Sequence, residues 1–147
     1  VVHLATHGEF RSDSPLFSGL ACADGRLTTL DVFSLPLQTS LLVLSGCESG
    51  RSVLGGGGEL LGLMRACLHA GAASLLVSLW AIDDQATAAF MDQFYRNLVA
   101  GQHKGAALRN AQRRLIEATD RHVAHPFFWA PFMLVGDPGM LGWRRST

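Results

Sequence analysis

A chain of 147 residues with 48% apolar and 16% charged content suits one globular domain with its own core and not a disordered segment. Twelve basic residues balance twelve acidic ones, spread along the chain, so neither nucleic acid nor a membrane surface is indicated as a partner. No apolar run reaches the roughly 18 residues of a spanning helix, nothing reads as a signal peptide, and three cysteines at unrelated spacings (Cys22, Cys47, Cys67) argue against a disulfide framework and for the reducing cytoplasm.

Val1-Val2-His3-Leu4-Ala5-Thr6 reads as a buried strand that runs straight into His7-Gly8. The chain opens inside this strand and without methionine, so the expectation is a fragment lacking earlier strands, with an exposed sheet edge. After the polar segment from Glu9 to Pro15, the apolar stretch Leu16 to Ala23 meets Asp24-Gly25 and Arg26-Leu27. This predicts a hairpin with both Asp24 and Gly25 at positive φ. Thr28-x-x-Asp31 is a capping box for a short helix through Val32 and Phe33, broken near Pro36. Leu41 to Leu44 is a second buried strand, whose carboxyl end opens at Ser45-Gly46 into a loop bearing Cys47.

The run Gly55 to Gly58 lacks the Gly-Lys-Ser/Thr that a phosphate cradle requires, and reads instead as a loop beside Cys47 able to move when substrate binds. Leu60, Met64, Cys67 and Leu68 recur at helical spacing up to a terminator at Gly71, which makes Cys67 an inert core thiol. Ala73 to Trp80 is a third buried strand. Of the two acids that follow, one caps a helix from Gln85 to Val99, with Phe90, Phe94 and Leu98 on one face, and the other is left free. A helix from Lys104 to about Ala118 places Ala107, Leu108, Ala111, Leu115 and Ile116 inward and Arg109, Arg113 and Arg114 on a solvated face. Lys104 is the single lysine among the twelve basic residues, which reads as coding bias. His125-Pro126 restarts an extended segment, and Phe127 to Val135 suits a last strand that Pro131 demotes to an edge or a bulge. Gly136-Asp137-Pro138-Gly139 ends the domain and Gly142 to Thr147 is a loose tail.

Two strands thus deliver His7 and Cys47 to loops at the carboxyl end of a sheet, where sites of open α/β folds collect. A thiol needs a neighbouring base to become a nucleophilic thiolate, and histidine suits that task near neutrality. Backbone N–H groups of Gly8 and Cys47 are the candidates for an oxyanion hole, because glycine beside the base lets the backbone approach closely. Two plainer readings compete. An isolated cysteine is more often core than nucleophile, although the position of Cys47 just past a strand counts against this. His3 and His7 with a cysteine suggest zinc, but a fourth ligand at suitable spacing is missing, so no metal is assigned and His3 is read as a supporting core residue.

Five ordered motifs carry a resemblance. H-L-A-T-H-G at His3 to Gly8, S-G-C-E-S-G at Ser45 to Gly50, G-E-L-L-G-L-M-R-A at Gly58 to Ala66, S-L-W-A-I-D-D at Ser78 to Asp84 and H-P-F-F-W-A-P-F at His125 to Phe132 look like the CHAT domain, a family of caspase-like cysteine peptidases related to separases. The resemblance implies a caspase-like three-layer α/β/α fold with a mostly parallel central sheet over residues 1–137, lacking its first strands, with 138–147 as a tail. It implies a cysteine endopeptidase that works through a His7–Cys47 dyad and an acyl-enzyme, with no obligatory carboxylate and no cofactor. As in separases, it places an acid comparable to Asp84 in the pocket for the residue preceding the scissile bond. The caspase signature Gln-Ala-Cys-x-Gly is absent, so a preference for aspartate does not follow. Tetratricopeptide repeats in the parent chain and control by a partner are further implications. Two rivals stay open: a latent interaction or signalling module that keeps the fold, and a thiol amidase acting on small molecules.

Overall fold

The computed structural model describes residues 1–11, 13–45 and 58–142. Its strands are β1 (Val2–Ala5), β2 (Gly8–Glu9), β3 (Gly19–Cys22), β4 (Gly25–Thr28), β5 (Leu42–Ser45), β6 (Ser74–Ser78) and β7 (Phe132–Gly136). The helices are α1 (Thr29–Phe33), α2 (Gly58–His69), α3 (Asp84–Val99), α4 (Lys104–Ile116) and α5 (Pro126–Trp129).

The two uninterrupted apolar runs become the centre of the main sheet, ordered β1-β5-β6-β7. β1 and β6 flank β5 in parallel, and β7 closes the far side antiparallel to β6. Every residue of β5 and β6 is buried, because helices cover both faces and side chains alternate between them. Leu42, Leu44, Leu75 and Val77 face α2, meeting Leu60, Leu63, Met64 and Cys67. Leu41, Val43 and Leu76 face the opposite layer, where Phe90, Phe94 and Leu98 of α3 and Ala107, Ala111 and Leu115 of α4 complete the core. Phe90 lies face to face on Phe132 with ring centroids 3.6 Å apart, which ties α3 to β7. The expected three-layer α/β/α architecture with a mostly parallel sheet is what these residues build.

β1 is the expected exposed sheet edge, pairing among the described strands with β5 alone. It is not the buried strand that its apolar pattern suggests: Val1 and Val2 are 60% and 37% exposed, and His3 is exposed instead of being a core residue.

The hairpin forms as β3 and β4, joined to β2 in a small antiparallel sheet. Its turn sits one residue early: Cys22 pairs with Gly25, so the loop is Ala23-Asp24, and of the two expected positions only Gly25 has positive φ, at 139°. Pro15–Phe17 is a short 3-10 helix and not strand. The Thr28–Asp31 capping box opens α1 as expected, with both reciprocal bonds present. Gly71 follows α2 with φ 106°, and Cys67 is buried.

Three further departures lie in the last third. Ile116 is 45% exposed, since it stands about 100° around the helix from buried Leu115. His125-Pro126 does not restart a strand: the His125 ring accepts from Phe127 N–H, and proline at the first position opens α5. The strand therefore begins at Phe132 and forms the sheet edge that Pro131 foretold. Lys104 is fully buried, its Nζ 3.2 Å from the Ser40 carbonyl and 3.3 Å from Asp137 Oδ2. The side chain of His103 does not cap α4; instead the N–H groups of Lys104 and Gly105 donate to the carbonyls of Gly139 and Pro138.

Candidate active site

The parallel strands β1, β5 and β6 end together, and beyond their carboxyl ends lies a cavity of about 520 Å³. Its polar lining comes from His3, Thr6, His7, Ser45, Ser78, Asp84 and Thr87, and its apolar wall includes Trp80, Ile82 and Met91. This is the crevice where an open α/β sheet places its site.

His7 is held through its backbone. Thr6 N–H donates to the Ser45 carbonyl at 3.2 Å, carrying the β1–β5 ladder one residue further. The His7 carbonyl then accepts from Ala21 N–H at 2.9 Å, while Thr6 Oγ1 donates to the Ala21 carbonyl at 2.5 Å. The hairpin thereby clamps the turn on both sides of His7. The His7–Ala21 bond also makes Gly8 and Leu20 a non-hydrogen-bonded pair, so the ladder does not use the Gly8 N–H. A Cβ at Gly8 would lie 2.6 Å from Phe10 Cε2, so a larger residue there would displace a ring that packs on the core.

The pair of acids divides as expected. Asp83 caps α3, its carboxylate accepting from Gln85 N–H at 2.8 Å and Ala86 N–H at 3.4 Å. Asp84 becomes the first residue of the helix, one position earlier than the expected start, and lines the cavity with His7. Neither the Asp84 carboxylate nor the His7 ring has a hydrogen-bond or ion-pair partner among the described residues. Cys47, and with it the second expected oxyanion donor and the glycine run before Gly58, lies outside the described residues. The structure thus brings His7 and Asp84 to one cavity, with Gly8 following His7 at the start of β2.

Sequence reasoning missed the role of His3. Its Nε2 is 2.5 Å from Ser45 Oγ and its Nδ1 is 3.0 Å from Tyr95 Oη on α3. With the phenol donating to Nδ1, the neutral ring carries its proton on Nε2 and donates it to Ser45. Burial lowers the His3 pKa below the ordinary 6.5 and raises that of Tyr95 above 10.0, which keeps both groups neutral at physiological pH. The even spacing of His3 and His7 was the available signal, because both side chains do reach one cavity. Among the described residues no helix is long and apolar enough to cross a membrane, and no cluster of three potential metal ligands occurs.

Comparison with known proteins agrees with this architecture. The chain matches the CHAT domain family over residues 1–137. A human protein named tetratricopeptide repeat protein 28 is 36% identical over 132 residues, which is 90% of this chain and 5% of that protein. Its mouse counterpart is 34% identical over 110 residues, 75% of this chain and 4% of its own length. The chain therefore spans about one twentieth of the length of these curated relatives. On the family match and on its fold, the chain belongs to the CHAT domain family, with the caspase-like three-layer α/β/α architecture of that peptidase-related group.

Proposed function

We propose that this chain is a cysteine endopeptidase domain using His7 and Cys47, with Asp84 selecting a cationic side chain immediately before the scissile bond. The observation that carries the reading is the cavity itself. An imidazole and a carboxylate that have no partner among the described residues share it, at the end of a strand whose next residues lead to Cys47.

In this mechanism His7 takes the Cys47 proton, and the thiolate sulfur adds to the substrate carbonyl carbon. The oxyanion is held by the Gly8 N–H, which the ladder leaves free, together with the N–H of Cys47. As the C–N bond breaks, His7 returns the proton to the departing amine, leaving a thioester that water hydrolyses with His7 again acting as base. Asp84 needs no part in the proton transfers. Placed at the amino terminus of a 16-residue helix, its carboxylate is favoured by the aligned peptide dipoles and stays available to a guanidinium. The relatives named for tetratricopeptide repeats support a parent protein in which such repeats accompany this domain; control of the domain by a partner and a cytoplasmic location complete the proposal.

Labelling by peptidyl acyloxymethyl ketones tests the reading. A probe with arginine at its first position should label Cys47 in the wild type, with the rate falling at least ~10²-fold in His7→Ala and vanishing in Cys47→Ala, while an aspartate probe should label poorly. A folded protein labelled by neither probe overturns the reading and favours a latent interaction module.

A further inference from the structure

The His3 ring joins three elements: β1, which carries it, β5 through Ser45, and α3 through Tyr95. His3 lies beside Val43 in the parallel register, so Ser45 is its diagonal neighbour on the face covered by α3. Ser45 is 4% exposed, and its Oγ meets the ring at the last described residue of β5.

On α3, the residues that line the cavity are Asp84, Thr87, Ala88 and Met91, a stripe at helical spacing. Tyr95 continues that stripe one turn further, so one helix edge carries Asp84 at one end and the His3 contact at the other, about 16 Å apart. Phe90, Phe94 and Leu98 hold α3 against the sheet by apolar packing, which is non-directional and resists sliding along the helix axis poorly. Hydrogen bonds are directional, and the His3 bridge ties the axial position of α3 to the end of β5.

We propose that His3 is a positioning residue of the peptidase site: through Ser45 and Tyr95 it sets the distance between the carboxyl end of β5 and Asp84. The proposal rests on the peptidase reading above. It takes His3 out of the proton transfers, which belong to His7, and gives it control over how well a cationic side chain is presented to the nucleophile.

The test compares His3→Phe, Tyr95→Phe and His3→Gln with wild type on two peptides, one with arginine and one with norleucine before the scissile bond, alongside alkylation of Cys47 by iodoacetamide and thermal melting. Iodoacetamide reports the His7–Cys47 pair without needing the specificity cavity. In His3→Phe and Tyr95→Phe, kcat/KM for the arginine peptide should fall about 10- to 100-fold, mainly in kcat, with a much smaller loss on norleucine and alkylation within about twofold of wild type. His3→Gln, whose amide nitrogen overlies Nε2, should recover part of the preference. Equal losses on both peptides that follow the melting temperature overturn the proposal and leave His3 as a structural support. Wild-type alkylation that is indifferent to His7→Ala would instead sink the peptidase reading, and this inference with it.

Discussion

The two ends of the central strands treat their polar groups in opposite ways. At the amino ends of β5 and β6, the Ser40 carbonyl accepts from Lys104 Nζ at 3.2 Å and from Ser74 Oγ at 2.7 Å. Asp137 holds Lys104 and accepts from Gly139 N–H, and Ser40 Oγ accepts from Gly142 N–H. These groups are engaged with one another, and the end is closed. At the carboxyl ends, His7 and Asp84 face a cavity with no partner among the described residues, and His3 and Ser45, bonded to each other and through His3 to Tyr95, line its wall. A protein satisfies polar groups where it needs stability and leaves them unspent where it needs chemistry. The contrast separates residues whose loss should unfold the chain from residues whose loss should only silence it.

The largest stability effect should come from the closed end. Lys104→Ala removes a fully buried stem and the cation it delivers to Ser40 and Asp137, and should cost about 2–3 kcal/mol in urea denaturation. Asp137 is itself 58% exposed, which holds the loss below that of a fully buried pair. Lys104→Met keeps the stem volume and avoids desolvating an ammonium, so its cost should stay within about 1 kcal/mol. Neither change should alter probe labelling at temperatures where the variant is folded; a parallel loss of labelling would erase the distinction between the two ends.

The adjacent acids sharpen the comparison within two residues. Asp83→Ala removes the α3 cap and should cost about 1 kcal/mol without changing the arginine preference. Asp84→Asn breaks no side-chain bond among the described residues, so stability should move by no more than about 0.5 kcal/mol while preference for arginine over norleucine falls about 10- to 100-fold. Exchange of these two outcomes would mean that Asp83 is the selecting group.

How much of this was legible in the sequence depended on whether the deciding neighbours are local. The runs Leu41 to Leu44 and Ala73 to Trp80 specify buried parallel strands by themselves, and both capping residues, Thr28 and Asp83, bond within three positions. That local rule put one of the two acids on the cap and left the other free, and the resemblance named the free one as Asp84. His3 was misread as core because its partners, Ser45 and Tyr95, lie 42 and 92 residues away. Lys104 was read only as coding bias; the return of the chain at Gly136 to Gly139, distant in sequence, is what gives its buried ammonium a partner. Gly136 allows that return with φ 94°, at a point where a Cβ would press on the Ala73 carbonyl. Pro126 was read as restarting an extended segment when its fixed φ equally suits the first position of a helix.

The smallest expected effect is in pH dependence, and it gives each end its own window. His3 has a folded pKa below its ordinary 6.5 because burial disfavours the imidazolium. As pH falls through 6.5 the unfolded chain gains a proton that the folded chain refuses, so stability present above 6.5 declines until the lowered folded value is passed. Asp137 is lowered below 3.8 first by the Gly139 N–H and then by Lys104, and its contribution holds above 3.8 and is lost as pH falls further. Asp31, lowered by Thr28, and Asp13, lowered by Arg11, add to this second decline. A urea-denaturation series across pH should therefore show two separate slopes. His3→Gln should flatten only the one that starts near 6.5, and Asp137→Asn should reduce only the one below 3.8. One slope abolished by both substitutions would show that the two ends unfold through a shared titration and that the division between them is not thermodynamic.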